Sequence, residues 1–237
     1  MGSDYKVAPR SEDYIADVAA ACRKVRPQQH LYRFDPIDFI ENVLMVEGVE
    51  AVWKSRWIQP KGKLSLRLFD RASKWHPPAE VTFEPTITLH FDNNFWRRAK
   101  LGETFETFIA AHEIGHILLH DVNAKEFSNE AEARISFRRS DDESAEWQAH
   151  TFAGHVLLPT HTVGKIDDQD RLAFLCNAPD QLVAERLATV RKIKRILSGP
   201  QAEDYCTGCG DLAAVTQGIC FDCERKRNRR NGQTTGT

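Results

Sequence analysis

Residues 104–121 read TFETFIAAHEIGHILLHD, and within them His112, Glu113 and His116 form the pattern H-E-x-x-H. On a helix, residues four apart project from one face, so His112 and His116 can share a single metal ion with Glu113 beside them. Neutral imidazoles suit Zn²⁺, which binds nitrogen at about 2.1 Å in roughly tetrahedral geometry, and a hydrolytic zinc site keeps one position for water. A carboxylate next to that position can take the water's proton and later hand it to a leaving amine. Phe105, Phe108, Ile109, Ile114, Ile117, Leu118 and Leu119 surround the motif with apolar residues. They predict a buried helix, in which a His pair beside a Glu is costly unless it binds something. The competing account is a core helix whose histidines are incidental. Gly115 lowers helix stability by about 1 kcal/mol relative to Ala, which points to close approach by another backbone. His120 continues the stripe but lies two turns, about 12 Å along the axis, from His112, too far for one ion to take all three histidines.

A third ligand must come from elsewhere, and the best source is residues 143–159, ESAEWQAHTFAGHVLLP. Apolar residues at 149, 152, 153, 156 and 157 recur at helical spacing, and Pro159 marks the stop. Glu146 falls on this second helix, which can cross the first and present a carboxylate. Glu143 is the rival ligand, although residues 140–143 also read as a solvated acidic face. One turn after Glu146, His150 can orient a ligating imidazole from behind.

HEIGHILLH followed by E-x-Q-A-x-x-F-A-x-x-x-L-L-P resembles the ImmA/IrrE family of zinc metallopeptidases, whose usual pattern is HE-x-GH-x-x-x-H and then E-x-E-A-N-x-F-A-A-x-L-L-M-P. The likeness extends over roughly residues 11–197. It implies that His112, His116 and Glu146 hold a catalytic zinc and that Glu113 is the base. It also implies a cytoplasmic protease that cuts helix-turn-helix transcriptional repressors, switching on stress, mobile-element or phage-defence genes, in some relatives only after a signal such as single-stranded DNA. This chain departs from the pattern in carrying Gln148 for the second Glu, His150 for Asn, Gly154 for Ala and Leu158 for Met.

The remaining chain fits around that pair of helices. Ser11 can cap a helix whose inner face is Ile15, Val18, Ala19 and Cys22, the last a buried inert thiol, and Asp35-Pro36 opens another with Phe39, Ile40, Val43 and Leu44 inward. Alternation at Leu64, Leu66 and Leu68, at Val81 and Phe83, and at Ile87, Leu89 and Phe91 predicts short strands. The expected fold is therefore α+β: a small, mostly antiparallel sheet packed on zincin-like active-site helices, then a helical segment and a small zinc ribbon. The last strand, residues 86–91, precedes the metal helix by what reads as a loop, FDNNFWRRAKLGE, and its edge is a candidate for pairing with an extended peptide. Lys54, Arg56, Lys61, Lys63, Arg67, Arg71 and Lys74 interleave with Trp53, Trp57 and Phe69, a mixture that can bind single-stranded nucleic acid, with solvated hairpins as the plainer account.

Beyond Pro159 the pattern predicts two helices separated near residues 177–179, with Leu172, Phe174, Leu175, Leu182, Val183 and Leu187 apolar and Cys176 in the core. Three domains are expected: a metallopeptidase domain at 1–160; a helical segment at 161–198, which resembles the helix-turn-helix-like segment that follows the protease motif in that family; and a ribbon with a basic tail at 199–237. In that last part Cys206 and Cys209, then Cys220 and Cys223, form two CxxC pairs at the spacing of a structural Zn²⁺ site, which a module so small needs in order to fold. Disulfides or a redox dithiol are the alternatives. Two zinc ions are thus expected, one catalytic and one structural.

The chain has 237 residues, 41% hydrophobic and 28% charged, ordinary values for a globular protein, and its net charge of −2 is uneven. From Gln181 onward there are ten Lys and Arg against six Asp and Glu, giving +4 there and −6 elsewhere. The basic end is the better nucleic-acid face. No 18-residue apolar run is present, and MGSDYKVAPRSEDY lacks the apolar stretch of a signal peptide, so the expectation is a cytoplasmic protein without a membrane partner. A zinc-containing, non-catalytic nucleic-acid-binding regulator on the same fold is the reading from another class. A broad peptidase with no regulatory target is a further one.

Overall fold

A computed structural model describes residues 5–25, 32–53, 64–70, 77–83, 86–120 and 141–197, with the backbone of three short strands at 203–205, 212–216 and 219–220. The chain forms two compact units, residues 1–187 and 188–237. The first is α+β and carries the H-E-x-x-H motif.

Helix α1, Glu12–Val25, begins where Ser11 Oγ accepts the Tyr14 N–H at 3.2 Å, and it buries Ile15, Val18, Ala19 and Cys22 as the spacing requires. Burial pushes the Cys22 thiol far above its ordinary value, which leaves it inert. Helix α2, Pro36–Phe39, is capped by Asp35, whose carboxylate accepts from the N–H groups of Ile37 and Asp38 at 3.0 and 3.1 Å. It continues as a π-helical turn, Ile40–Leu44, and a short helix, α3, Glu50–Trp53, follows.

Three strands come next: β1, Ser65–Phe69; β2, Ala79–Thr82; and β3, Thr88–Asp92. Their order is β1-β3-β2, with β1 parallel and β2 antiparallel to β3, so the sheet is mixed. Thr88 pairs with Ser65 on one side and Thr82 on the other. The expectation that this strand offers a free edge to a peptide is therefore wrong: β3 is central, and β1 and β2 are the edges. Alternation of Ile87, Leu89 and Phe91 told correctly which side chains are buried, but alternation carries no information about which strand lies in the middle.

The stretch read as a loop after β3 is instead mostly helix α4, Asn93–Lys100, capped by Asp92, which accepts the Phe95 N–H at 3.0 Å. Its buried residues Phe95, Trp96 and Ala99 form the inner face, with Phe95 and Trp96 both against the Phe91 ring. Helix α5, Thr104–Leu119, is apolar on almost every side and is buried over most of its length. After the turn Asp141–Glu143 comes α6, Ala145–Leu157, followed by α7, Thr160–Val163; α8, Gln169–Cys176; and α9, Asp180–Leu197. The second unit contains β4, Glu203–Tyr205; β5, Leu212–Thr216; and β6, Ile219–Cys220, in an antiparallel sheet of order β4-β5-β6. Among the described residues, no helix is long and apolar enough to cross a membrane.

Two aromatic residues expected inside are outside. Phe174 is 85% exposed because α8 buries Leu172 and Cys176, four apart, and a residue midway between them faces the other way. Phe105 is 56% exposed, while its neighbours Glu106 and Thr107 turn inward. Glu106 pairs with Arg98 at 2.8 Å, and Thr107 Oγ1 meets the side-chain amide of Asn177 at 3.2 Å. That same amide donates to the Gly102 carbonyl at 2.9 Å, tying the left-handed end of α8 to the start of α5.

Far along α6, His155 is buried against Arg186 of α9 and Glu12 of α1. Its Nε2 lies 2.9 Å from Glu12 Oε1, and Arg186 Nη2 lies 3.2 Å from its Nδ1. Burial, and then Arg186, hold this imidazole below its ordinary value, with Glu12 opposing. The unfolded chain therefore takes up this proton first, from pH about 6.5 downward, so the stability linked to it is complete above that pH and is lost as pH falls toward the folded value. In urea titrations, the stability difference between wild type and His155→Gln should shrink below pH ~6.5; a difference that stays flat from neutrality into acid would show that His155 does not titrate in this way.

The largest contact between helices runs between α5 and α6. A Cβ on Gly115 would sit 3.0 Å from Ala149 Cα, 3.1 Å from its carbonyl oxygen and 3.1 Å from Phe152 Cδ1, so the two backbones meet where the sequence predicted a close approach. Gly115→Ala gains about 1 kcal/mol of helix propensity but overpacks a rigid contact, at a cost of about 1–3 kcal/mol. A lowered urea midpoint is the expected result, and a raised one would mean that the helices separate freely.

Candidate metal centre

The α5–α6 contact assembles the site. His112 and His116, four apart on α5, have their Nε2 atoms 3.0 Å from each other. Ser144 caps α6 by accepting the Trp147 N–H at 3.0 Å, which sets Glu146 in the first turn, facing α5. Glu146 Oε2 lies 3.3 Å from His112 Nε2, and Oε1 lies 3.6 Å from His116 Nε2. Donors bound to one tetrahedral zinc at 2.0–2.2 Å stand about 3.3–3.6 Å apart, which both imidazole–carboxylate separations match, while the two imidazole nitrogens, at 3.0 Å, stand somewhat closer. Among the described residues, no other trio of metal-binding side chains gathers this closely.

Charges at the site follow from its burial. Glu113, beside His112, is buried, and its carboxyl is pushed up to about 7, first by loss of solvent, with Glu146 and Glu80 adding and His112 opposing. Glu146 is more open, and its carboxyl is held below the usual range, chiefly by its hydrogen bond with His112. The two carboxyls thus differ: one is a buried group poised near neutrality, the other a stable anion among the donors.

The surroundings of the two imidazoles also differ. His112 Nδ1 is buried and has no hydrogen-bond partner among the described residues, and the Phe108 ring is 6.1 Å away. His116 Nδ1 lies 3.0 Å from Nδ1 of His120, and Tyr5 stacks on the His116 ring at 6.5 Å. His120 Nε2 in turn lies 3.2 Å from Oε1 of Gln148, a fully buried side chain. The orienting contact thus comes from His120 and not from His150. Exposed on the outer side of α6, His150 has its Nε2 3.2 Å from Glu185 and its ring edge-on to Phe108. The spacing that puts His120 too far from His112 to be a third ligand puts it one turn from His116, within reach as that ligand's partner.

Glu143, the rival ligand, lies in the turn before α6 and pairs with Lys6 at 3.1 Å. Residues 5–10 run along this turn: Val7 N–H donates to the Glu143 carbonyl at 2.9 Å, Arg10 N–H to that of Asp142 at 3.0 Å, and Ala145 N–H to that of Tyr5 at 3.2 Å. This N-terminal segment, absent from the sequence reading of the site, places Tyr5 beside both His116 and His120. Two further histidines are engaged elsewhere, His155 as above and His90 with Thr82 Oγ1 at 3.0 Å. Cys206, Cys209 and Cys223 lie outside the described residues, as does the side chain of Cys220, and so does most of the basic and aromatic stretch at 53–75.

Residues 98–187 match the family model Peptidase_M78, described as the IrrE N-terminal-like domain. The matched span includes both helices that supply the three donors and corresponds to a metallopeptidase-type domain. No curated protein and no solved structure matches the chain significantly.

Glu146→Ala should remove about one zinc per chain relative to wild type, read by elemental analysis after dialysis against a weak chelator. An unchanged zinc content would exclude Glu146 as a ligand.

Proposed function

We propose that this chain is a zinc-dependent endopeptidase in which His112, His116 and Glu146 hold the ion and Glu113 is the general base. The observation that carries this reading is the convergence of two imidazoles and a carboxylate, from two different helices, beside a buried carboxyl near neutrality. Zinc held by these donors supplies Lewis acidity toward a peptide carbonyl and toward the protons of a water molecule. Glu113 takes a proton from water at its carboxylate and returns it to the leaving amine. Glu146 is 40% exposed and His112 13%, so solvent and substrate reach the donors from the Glu146 side, and Glu113 is 8% exposed.

The substrate we propose is a helix-turn-helix transcriptional repressor, whose cleavage turns on stress, mobile-element or phage-defence genes, with single-stranded DNA as a candidate signal. Support comes from the IrrE-like character of residues 98–187 and from the +4 charge of residues 181–237. A structural zinc on Cys206, Cys209, Cys220 and Cys223 belongs to the same reading, as the recognition or sensor module.

Purified protein incubated with a repressor encoded beside it, with and without single-stranded DNA, tests this by mass spectrometry of the products. Glu113→Gln should retain zinc and lose cleavage by about 10²- to 10⁴-fold. Equal cutting by the variant would remove Glu113 from the mechanism. A zinc-loaded wild type that binds DNA and cuts nothing would favour the non-catalytic regulator, and random peptides cut as fast as any repressor would favour a broad peptidase.

A further inference from the structure

Behind His116 runs a chain of hydrogen bonds whose direction is fixed from its far end. The side-chain amide nitrogen of Gln148 lies 2.9 Å from the Ala8 carbonyl oxygen and 2.6 Å from that of Asp142. Carbonyl oxygens only accept, so both amide hydrogens are committed and the orientation of the Gln148 amide is settled without appeal to appearance. Its Oε1 must then accept, and the atom facing it at 3.2 Å is His120 Nε2. That nitrogen therefore bears the hydrogen, and in a neutral ring the other nitrogen, Nδ1, is left with a lone pair. The neighbour of His120 Nδ1, at 3.0 Å, is His116 Nδ1, which must donate. The remaining nitrogen of His116, Nε2, is left unprotonated, and it is the atom that faces His112 and Glu146.

We propose that Gln148 and His120 are positioning residues that lock His116 into the tautomer whose lone pair points at the metal position. This rests on the metal-binding reading above and adds to it the means by which one donor is prepared before any ion arrives. Gln suits the task where the resembling pattern has Glu, because a carboxylate has no N–H and cannot hold the Ala8 and Asp142 carbonyls. The lock also ties residues 8 and 142 to the site, so the N-terminal segment takes part in orienting His116. Among the described residues, His112 has no such support, since none of them meets its Nδ1 with a hydrogen bond.

Long-range ¹H–¹⁵N correlation on metal-free, full-length protein at pH about 8, above the usual imidazole range, reads the tautomers directly. In the wild type, His116 should carry its proton on Nδ1, and His120 on Nε2. Gln148→Met and His120→Phe, which each interrupt the chain, should move His116 toward the Nε2-protonated form and weaken zinc binding, measured by chelator competition, by about 10- to 100-fold. An Nε2-protonated His116 in the wild type overturns the proposal even if zinc binds. So does a folded His120→Phe variant with an unchanged His116 tautomer and zinc affinity within about threefold of wild type. If a variant fails to fold, the wild-type spectrum still decides. A wild type with the stated tautomers that takes no zinc at the site would leave the lock standing and defeat the metallopeptidase reading instead.

Discussion

The contact between α5 and α6 at Gly115 and Ala149 is the constraint from which the site follows. With Ala149 Cα 3.0 Å from where a Cβ would be, α6 lies directly on the α5 backbone. Gly115 sits between His112 and His116, so the closest point of the crossing coincides with the metal pair. Glu146, three residues before Ala149, is carried within 3.3 and 3.6 Å of the two imidazoles. A larger residue at 115 would move a whole helix, because packed cores relax only partially. Gly in a helix interior is locally unfavourable, and its use here is intelligible as the condition for three donors to meet.

Burial then gives these groups their chemistry. Most of α5 is inaccessible to solvent, yet it holds Glu106, Thr107, Glu113 and His116, with His120 buried at its C-cap. Polar groups in such a helix are tolerated when they find partners, and the partners are distributed by depth. Glu106 reaches Arg98, Thr107 reaches Asn177, and His116 reaches His120, which in turn reaches Gln148. Glu113 is met mainly by desolvation, which lifts its carboxyl to about 7, whereas Glu146, nearer the surface, remains an anion. Differences in solvation separate two chemically similar carboxyls into different roles.

The helical period made much of this legible in the sequence. His112 and His116 on one face, Glu113 beside them, Glu146 on a second helix and the close approach at Gly115 all depend on spacing along a single element. What escaped depended on relations between elements. Alternation in residues 87–91 fixed the buried face of β3 but not its place between β1 and β2. Helix α4 was hidden because two Asn residues and a cluster of charges resemble a loop, although Asp92 as a cap and Phe95, Trp96 and Ala99 on one side were signals for it. His150 looked like the orienting residue from its distance to Glu146 along α6, but the helix turns it outward to Glu185. His120 and the segment at residues 5–10 gained their roles only through contacts across the fold, up to 140 residues apart in the case of Gln148 and Ala8.

Formal charge supplies the last constraint on the site. The Glu146 anion already lies against the two imidazoles, and burial raises the Glu113 carboxyl beside them to about 7, so the site has little room for further buried charge. A third carboxylate at position 148 would add a buried negative charge with two carbonyl oxygens beside it, an arrangement that burial penalises by several kcal/mol unless the group stays protonated. Gln148 avoids that penalty and contributes two donors that the backbone at Ala8 and Asp142 requires. A neutral amide there serves both the charge balance of the centre and the direction of the hydrogen bonds behind His116, and these two demands together account for an amide where the resembling pattern carries an acid.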